Sequence, residues 1–158
     1  MICGGNGARS FINIFGSSTG INTKRRIRAY YDFCEKHALT PHNIEPYLNI
    51  TSPEKIKEII EQLNKTKNKP DALIIHSDQI ASFFVSHYYR SDLKMPEDLA
   101  VVGFDNLIIS SLMNFTSVDY SIGEQGRNAC RLLLNSLEKK QYELVPLDFK
   151  LIKRGTTK

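Results

Sequence analysis

Pro96-Glu97-Asp98-Leu99-Ala100-Val101-Val102-Gly103-Phe104-Asp105-Asn106 is the stretch on which the fold class turns. A turn leads into a short apolar strand without charge, and two polar side chains follow where the strand runs out. Val101-Val102 has the composition of a strand buried on both faces, as in a parallel sheet covered by helices. In an open α/β sheet, ligands sit beyond the carboxyl ends of the strands. Gly103 is expected to let the backbone turn tightly, so that Asp105 beyond it can accept hydrogen bonds from a ligand without belonging to a catalytic pair. The plainer reading of the same residues is a strand followed by an Asx-type loop.

Outward from this stretch, the chain alternates strands with helices. Ala72-Leu73-Ile74-Ile75 is a second uninterrupted apolar run, followed by His76-Ser77-Asp78-Gln79 at its end. Asp78 is expected to cap the helix that carries Ile80, Ala81, Phe84, Val85 and Tyr88. Phe11-Ile12-Asn13-Ile14-Phe15 reads as the first strand, and Gly16-Ser17-Ser18-Thr19-Gly20 as the turn after it. From Asn22 to Ala38, Ile27, Tyr30 or Tyr31, Cys34 and Ala38 recur at helical spacing. Arg26 falls in the first turn of that helix, where the dipole disfavours a cation and a ligand would give a reason for one. Asn43 to Leu48 can supply a short edge strand, limited by Pro46. Thr51-Ser52-Pro53-Glu54 opens a helix with Thr51 or Ser52 as cap, and Ile56, Ile59, Ile60 and Leu63 form its stripe. After Asp105 come Leu107-Ile108-Ile109, a polar turn, and a strand at Thr116-Ser117-Val118-Asp119-Tyr120. A long helix follows with Ile122, Ala129, Cys130, Leu133, Leu134 and Leu137 on one face, and Leu147 to Ile152 reads as a last strand.

The chain has 158 residues, 41% hydrophobic and 24% charged, which is long enough for one sizeable core. No run approaches a membrane span, and the first residues lack the sections of a secretory signal. A soluble, cytoplasmic chain is therefore expected. Cys3, Cys34 and Cys130 are odd in number, lack metal-ligand spacing and are expected to be reduced, those on helix faces as core thiols. The net charge of +4 is spread over loops and helix exteriors. Even the densest cluster, Lys65, Lys67 and Lys69, reads as a solvated loop, so no nucleic-acid surface is expected in this chain. His37, His42 and His87 show no ligand spacing, and neither a metal nor a cofactor is expected. Gly4-Gly5-Asn6-Gly7 precedes a strand, whereas a phosphate loop follows one.

The stretch from Pro96 to Asn106 resembles the "P-E-D-(apolar)-x-V-V-G-(aromatic)-D" signature of the effector-binding domain of LacI-type transcriptional regulators. Pro70-Asp71-Ala72-Leu73-Ile74-Ile75-His76-Ser77-Asp78 is similar to the family's second motif, and Phe115-Thr116-Ser117-Val118 and Arg154-Gly155-Thr156-Thr157 match two more in the same order. The resemblance covers nearly all of residues 7 to 158. It implies an open, mostly parallel, Rossmann-like sheet flanked by helices, as in periplasmic binding proteins, here incomplete. Residues 1–10 would be a flexible leader and 11–106 the C-terminal effector subdomain. Residues 107–140 would cross to the N-terminal subdomain, and 141–158 would return. The helix-turn-helix headpiece and most of the second subdomain would be missing, making the chain a fragment. The helix from Ile122 to Leu137 would then have to pack on that subdomain, pair with a second copy, or lose order.

The resemblance also implies a site. Thr23 to Tyr30 matches the family's helix start, with Arg26 as the effector-contacting arginine and Ala29 in place of the usual glycine. Asp105 would accept from ligand hydroxyls, Ser77 would supplement it where the family often has asparagine, and His76 and Asn106 would stand at the margin. Ile50 replaces an aromatic that often stacks on sugar or base. The ligand implied is a small sugar or sugar derivative, the assembly a homodimer, and DNA would be met only through the missing headpiece. A periplasmic sugar-binding protein shares this fold and is the alternative. A serine hydrolase using Ser77, His76 and Asp105 is a distant one, because neighbouring Ser and His at one strand end do not face each other and no G-x-S-x-G elbow is present. No catalytic residue is expected.

Overall fold

The computed structural model describes residues 11–14, 20–44, 52–65, 69–90, 93–139 and 141–158. In chain order the elements are β1 (Phe11–Ile14), α1 (Ile21–Lys36), β2 (His42–Ile44), α2 (Pro53–Lys65), β3 (Ala72–Ile75) and α3 (Asp78–Tyr88). They continue with β4 (Ala100–Phe104), α4 (Ile108–Leu112), β5 (Thr116–Asp119), α5 (Ile122–Glu138) and β6 (Lys150–Ile152). The strands form one six-stranded sheet in the order β2-β1-β3-β4-β5-β6. All neighbours are parallel except β5 and β6, which pair antiparallel with Val118 opposite Leu151. The open, mostly parallel α/β class is therefore the observed one.

The strand order reverses direction between β1 and β3. From β1 the chain moves outward to β2, whereas from β2 onward it moves the other way. Right-handed crossovers then place α1 on one face and α2, α3 and α4 on the other. The alternation within the strands fits this division. Leu73, Ile75 and Val101 join Ile56, Ile59, Ile60 and Leu63 of α2 and Ile80, Phe84, Val85 and Tyr88 of α3 in one core. Ala72, Ala100 and Val102, one residue out of step, are buried on the opposite face, and Tyr30 and Cys34 are the buried residues of α1. Phe84 and Leu73 are fully buried, a transfer contribution of about 1.5–3 kcal/mol each.

The termini of several elements depart from expectation for local reasons. At α2 the cap is Ser52, one of the two residues expected there, its Oγ accepting from the Lys55 amide at 3.2 Å. Ser77 caps α3 by accepting from the Ile80 amide at 3.4 Å, which leaves Asp78 as the first residue of the helix rather than its cap. α1 ends at Lys36, and Ala38 lies beyond it at φ 52°. Ala29, which stands in place of the family's usual glycine, is exposed. The polar turn after Leu107 is the short helix α4, closed by a 2.6 Å bond from Ser110 Oγ to the Leu107 carbonyl. Of the last expected strand only Lys150–Ile152 is paired.

Gly103 does not turn the chain. It lies inside β4, where a Cβ would fall against the Asp78 carboxylate and 3.1 Å from Phe115 Cε2. Close approach of α3, not a left-handed backbone, requires glycine there. The turn itself is made by Asp105 at φ 99° and Asn106 at φ 47°.

β5 pairs with β4 and β6 within the sheet, whereas α5 buries none of its residues. Cys130 on α5 is accordingly exposed, against the expectation of a core thiol, while Cys34 is buried. The leader, Cys3, Pro46 to Leu48, and Ile50 lie outside the described residues.

Candidate functional site

β3, β4 and β5 all present their carboxyl ends to the same edge of the sheet, and β1 ends beside them. The residues immediately past these ends are His76, Asp105 and Tyr120. Arg26 reaches them from α1, which starts at Ile21 and so puts the arginine in its second turn rather than its first. Its Nη1 donates to the His76 carbonyl at 2.7 Å. The guanidinium carbon stands 4.4 Å from the centroid of the Phe104 ring and 5.4 Å from that of Tyr120. Cation–π attraction on two sides and a backbone acceptor thus hold the planar group in place. The Tyr120 hydroxyl donates to Asp105 Oδ1 at 2.8 Å.

The protonation states follow from this packing. Burial lowers the His76 pKa from its usual 6.5; the Arg26 cation lowers it further and Asp105 opposes both. The imidazole is therefore predominantly neutral at pH 7, able to donate from one nitrogen and accept at the other. Burial, together with the bond to Asp105, raises the Tyr120 hydroxyl above its ordinary pKa, against the pull of Arg26. The phenol stays protonated and keeps donating to the carboxylate.

Arg26, His76 and Asp105 are thus brought together as expected from sequence. Ser77 and Asn106 stand beside them and make hydrogen bonds within the fold. Ser77 Oγ is the α3 cap. The Asn106 amide nitrogen of the backbone donates to Ser117 Oγ at 3.0 Å, its side-chain Nδ2 donates to Asp119 Oδ2 at 3.2 Å, and its Oδ1 accepts from Arg154 Nη2 at 2.8 Å. Behind it, the buried Asp78 accepts from Ser117 Oγ and from the Leu107 amide, both at 2.7 Å.

Phe104 and Tyr120 were not singled out as site residues on sequence grounds. The available signal was positional: each is an aromatic at the carboxyl end of a parallel strand. Arg154 is a further surprise: its guanidinium donates to the Phe115 carbonyl at 3.0 Å just before β5 as well as to Asn106 in the loop after β4. Among the described residues no group of three or more His, Cys, Asp or Glu side chains is placed to hold a metal. No helix among them is long and apolar enough to cross a membrane.

Donors, acceptors and aromatic rings gathered at the strand ends beside a reversal of strand order define an α/β ligand-binding lobe. The chain matches the periplasmic binding protein-like domain over residues 4–157, and it belongs to that family, as an effector domain of the kind found in LacI-type transcriptional regulators. It is 27% identical over 140 residues to an uncharacterized HTH-type transcriptional regulator, YkvZ, of Bacillus subtilis, a match covering 87% of this chain and 43% of that protein. The crystal structure of an uncharacterized protein from Actinobacillus succinogenes superposes with a TM-score of 0.81 at 27% identity, over 96% of this chain and 57% of the other. A periplasmic binding protein/LacI transcriptional regulator from Alkaliphilus metalliredigens, solved with D-xylulofuranose, has a TM-score of 0.74 at 20% identity over 96% of this chain and 57% of its own. The chain therefore spans about half the length of the relatives it matches.

Proposed function

We propose that this chain supplies one wall of the effector cleft of a LacI-type regulator and that the effector is a small sugar or sugar derivative. The observation that carries the reading is the Arg26 guanidinium, anchored by the His76 carbonyl and two aromatic rings, with the Asp105 carboxylate joined to the same cluster through Tyr120. A fixed donor fork and an acceptor at one sheet edge suit neighbouring hydroxyl groups, and the aromatic rings suit the apolar face of a sugar. Arg26 would donate to the ligand, Asp105 would accept from it, and neutral His76 would border it. The sugar bound by the Alkaliphilus metalliredigens relative supports the ligand class. The helix-turn-helix character of the Bacillus subtilis relative favours a regulator over a periplasmic carrier.

In this reading residues 122–148 belong to a second lobe, reached through two crossings that lie side by side. Ser121 Oγ donates to the Asp148 carbonyl at 2.8 Å where the chain leaves and returns. Ligand would draw the lobes together, shift their relation within a cytoplasmic homodimer, and change the fit of a DNA-binding headpiece. One wall alone binds weakly, and submillimolar sugar affinity in the isolated chain would contradict the division of the pocket.

The test is thermal stabilisation of the whole regulator by a panel of sugars and phosphosugars, beside Arg26→Ala and Asp105→Ala. At about 100 times Kd, a ligand adds roughly 2.7 kcal/mol of stability. A shift in the native protein that both variants lose supports the reading. A shift retained by both variants overturns the site, and no shift with any sugar overturns the ligand class.

A further inference from the structure

We infer that Asn106 is a positioning residue, not a ligand contact: its three polar groups brace the Asp105 loop against both strands that lead out of the sheet, and so fix the Asp105 carboxylate against Tyr120. The inference rests on the reading of Asp105 as a ligand contact and assigns the group that aims it.

Asp105 and Asn106 are consecutive residues with positive φ, 99° and 47°. Left-handed backbone is uncommon for residues other than glycine, with Asp and Asn adopting it most readily, and here a consecutive pair is held in it by surrounding contacts. Asp105 N donates to the Val118 carbonyl at 3.0 Å, and Asn106 N donates to Ser117 Oγ, which the Asp78 carboxylate holds from behind. The side-chain amide of Asn106 then spans the gap between two strands. Its Nδ2 meets Asp119 at the end of β5, and its Oδ1 meets Arg154 just past β6. Asp119 in turn accepts from the Ser121 amide at 2.7 Å, at the point where the chain leaves for α5. With one N–H, one amide NH2 and one amide oxygen each engaged, Asn106 has its chief recognition groups turned into the protein. Asp105, the next residue back, keeps a carboxylate that Tyr120 contacts through one oxygen. The geometry divides the labour between adjacent residues, one aimed outward and one holding the aim.

The swap of donor and acceptor tests this without any ligand. In Asn106→Asp the acceptor for Arg154 survives, but a carboxylate faces Asp119 and repels it. Adding Asp119→Asn restores a donor–acceptor pair of opposite sense and leaves an amide oxygen for Ser121. Asn106→Gly is the second variant: glycine accepts the positive φ, so only the side-chain bonds are lost. The readout is the Cζ resonance of Tyr120 in protein labelled with 13C at that tyrosine position, assigned with Tyr120→Phe, at neutral pH.

Asp105→Asn serves as the reference displacement for losing the carboxylate. The expected result is that Asn106→Gly and Asn106→Asp both move the Tyr120 resonance in the direction of that reference, and that Asn106→Asp with Asp119→Asn returns it to the native position. The inference is overturned if both single changes leave Tyr120 in place while Asp105→Asn moves it, if the swap fails to restore it in a folded protein, or if Asp105→Asn itself has no effect. Sugar titration of the whole regulator reports separately on the ligand reading: native-like NMR behaviour with no response to sugars removes the ligand and leaves the brace.

Discussion

Replacing Gly103 by alanine should destabilise the protein through one clash that can be traced atom by atom. The new methyl group would press on the Asp78 carboxylate and lie 3.1 Å from Phe115 Cε2 and 3.3 Å from Ala81 Cβ. The two carbon contacts are tight but can relax by a few tenths of an ångström. The carboxylate cannot move without loosening its bonds from Ser117 and the Leu107 amide. Overpacking of this kind costs about 1–3 kcal/mol, and a buried donor left unpaired costs about 1–3 kcal/mol more. Alanine restrains the unfolded chain, which offsets about 0.4–1 kcal/mol. The net loss is then about 1–5.5 kcal/mol, or on the order of 2–20 °C in melting temperature for a chain of this size. Urea and thermal unfolding followed by circular dichroism measure it. Asp78→Ala removes the obstructing group, so the double variant should be less destabilised than the sum of the singles, by about 1 kcal/mol or more. A Gly103→Ala protein melting within about 2 °C of the native one, or strict additivity in the double variant, would refute the close-approach account.

Thr156→Val should be costly for an isosteric change, because Thr156 Oγ1 accepts from the Thr116 amide at 2.9 Å and donates to the Val101 carbonyl at 2.7 Å, all buried. About 1–3 kcal/mol is expected for each backbone group left unpaired; a loss below about 1 kcal/mol in urea unfolding would argue that the strands repair the gap. His76 gives a pH signature. Its folded pKa lies below the unfolded 6.5, so the unfolded chain binds the proton more readily, and stability falls as pH drops through 6.5 toward the folded value. His76→Gln should flatten that part of the profile, measured by unfolding between about pH 7.5 and about pH 5; an unchanged slope would mean the imidazole is solvated.

The parts of the fold legible in sequence were those where local pattern and burial agree. Ala72–Ile75 and Ala100–Phe104 are uninterrupted apolar runs because both faces of each strand are covered, and the stripes at Ile56 to Leu63 and Ile80 to Tyr88 carry the covering helices. α4 was missed because a helix of five residues leaves no periodicity to read, and its cap Leu107 makes no side-chain bond. The apolar face of α5 was legible from its spacing, and the family resemblance implied that it would need a partner; spacing could not say that Cys130 on this helix would be exposed.

In the site, Arg26, His76 and Asp105 were readable from strand ends and the family motif. Ser77 and Asn106 carried the right chemistry for ligand contact, but no local pattern shows that Ser77 Oγ accepts from the Ile80 amide or that the Asn106 side chain bonds Asp119 and Arg154, which lie far along the chain. Tyr120 escaped notice because its role depends on β5 lying beside β4, a neighbour relation that no local pattern records.

The tie between Thr156 and Val101 also has a consequence for synthesis. The Val101 amide donates to the Thr156 carbonyl at 3.0 Å, across 55 residues of sequence, and the Thr156 hydroxyl returns a bond to the same residue. While Thr156 is still inside the ribosome, β4 has emerged with these polar groups unmatched, at the middle of the sheet rather than its rim. β4 is therefore completed only once Thr156 has emerged, and a nascent chain that pauses before Arg154 presents that unfinished strand to chaperones and to other nascent chains.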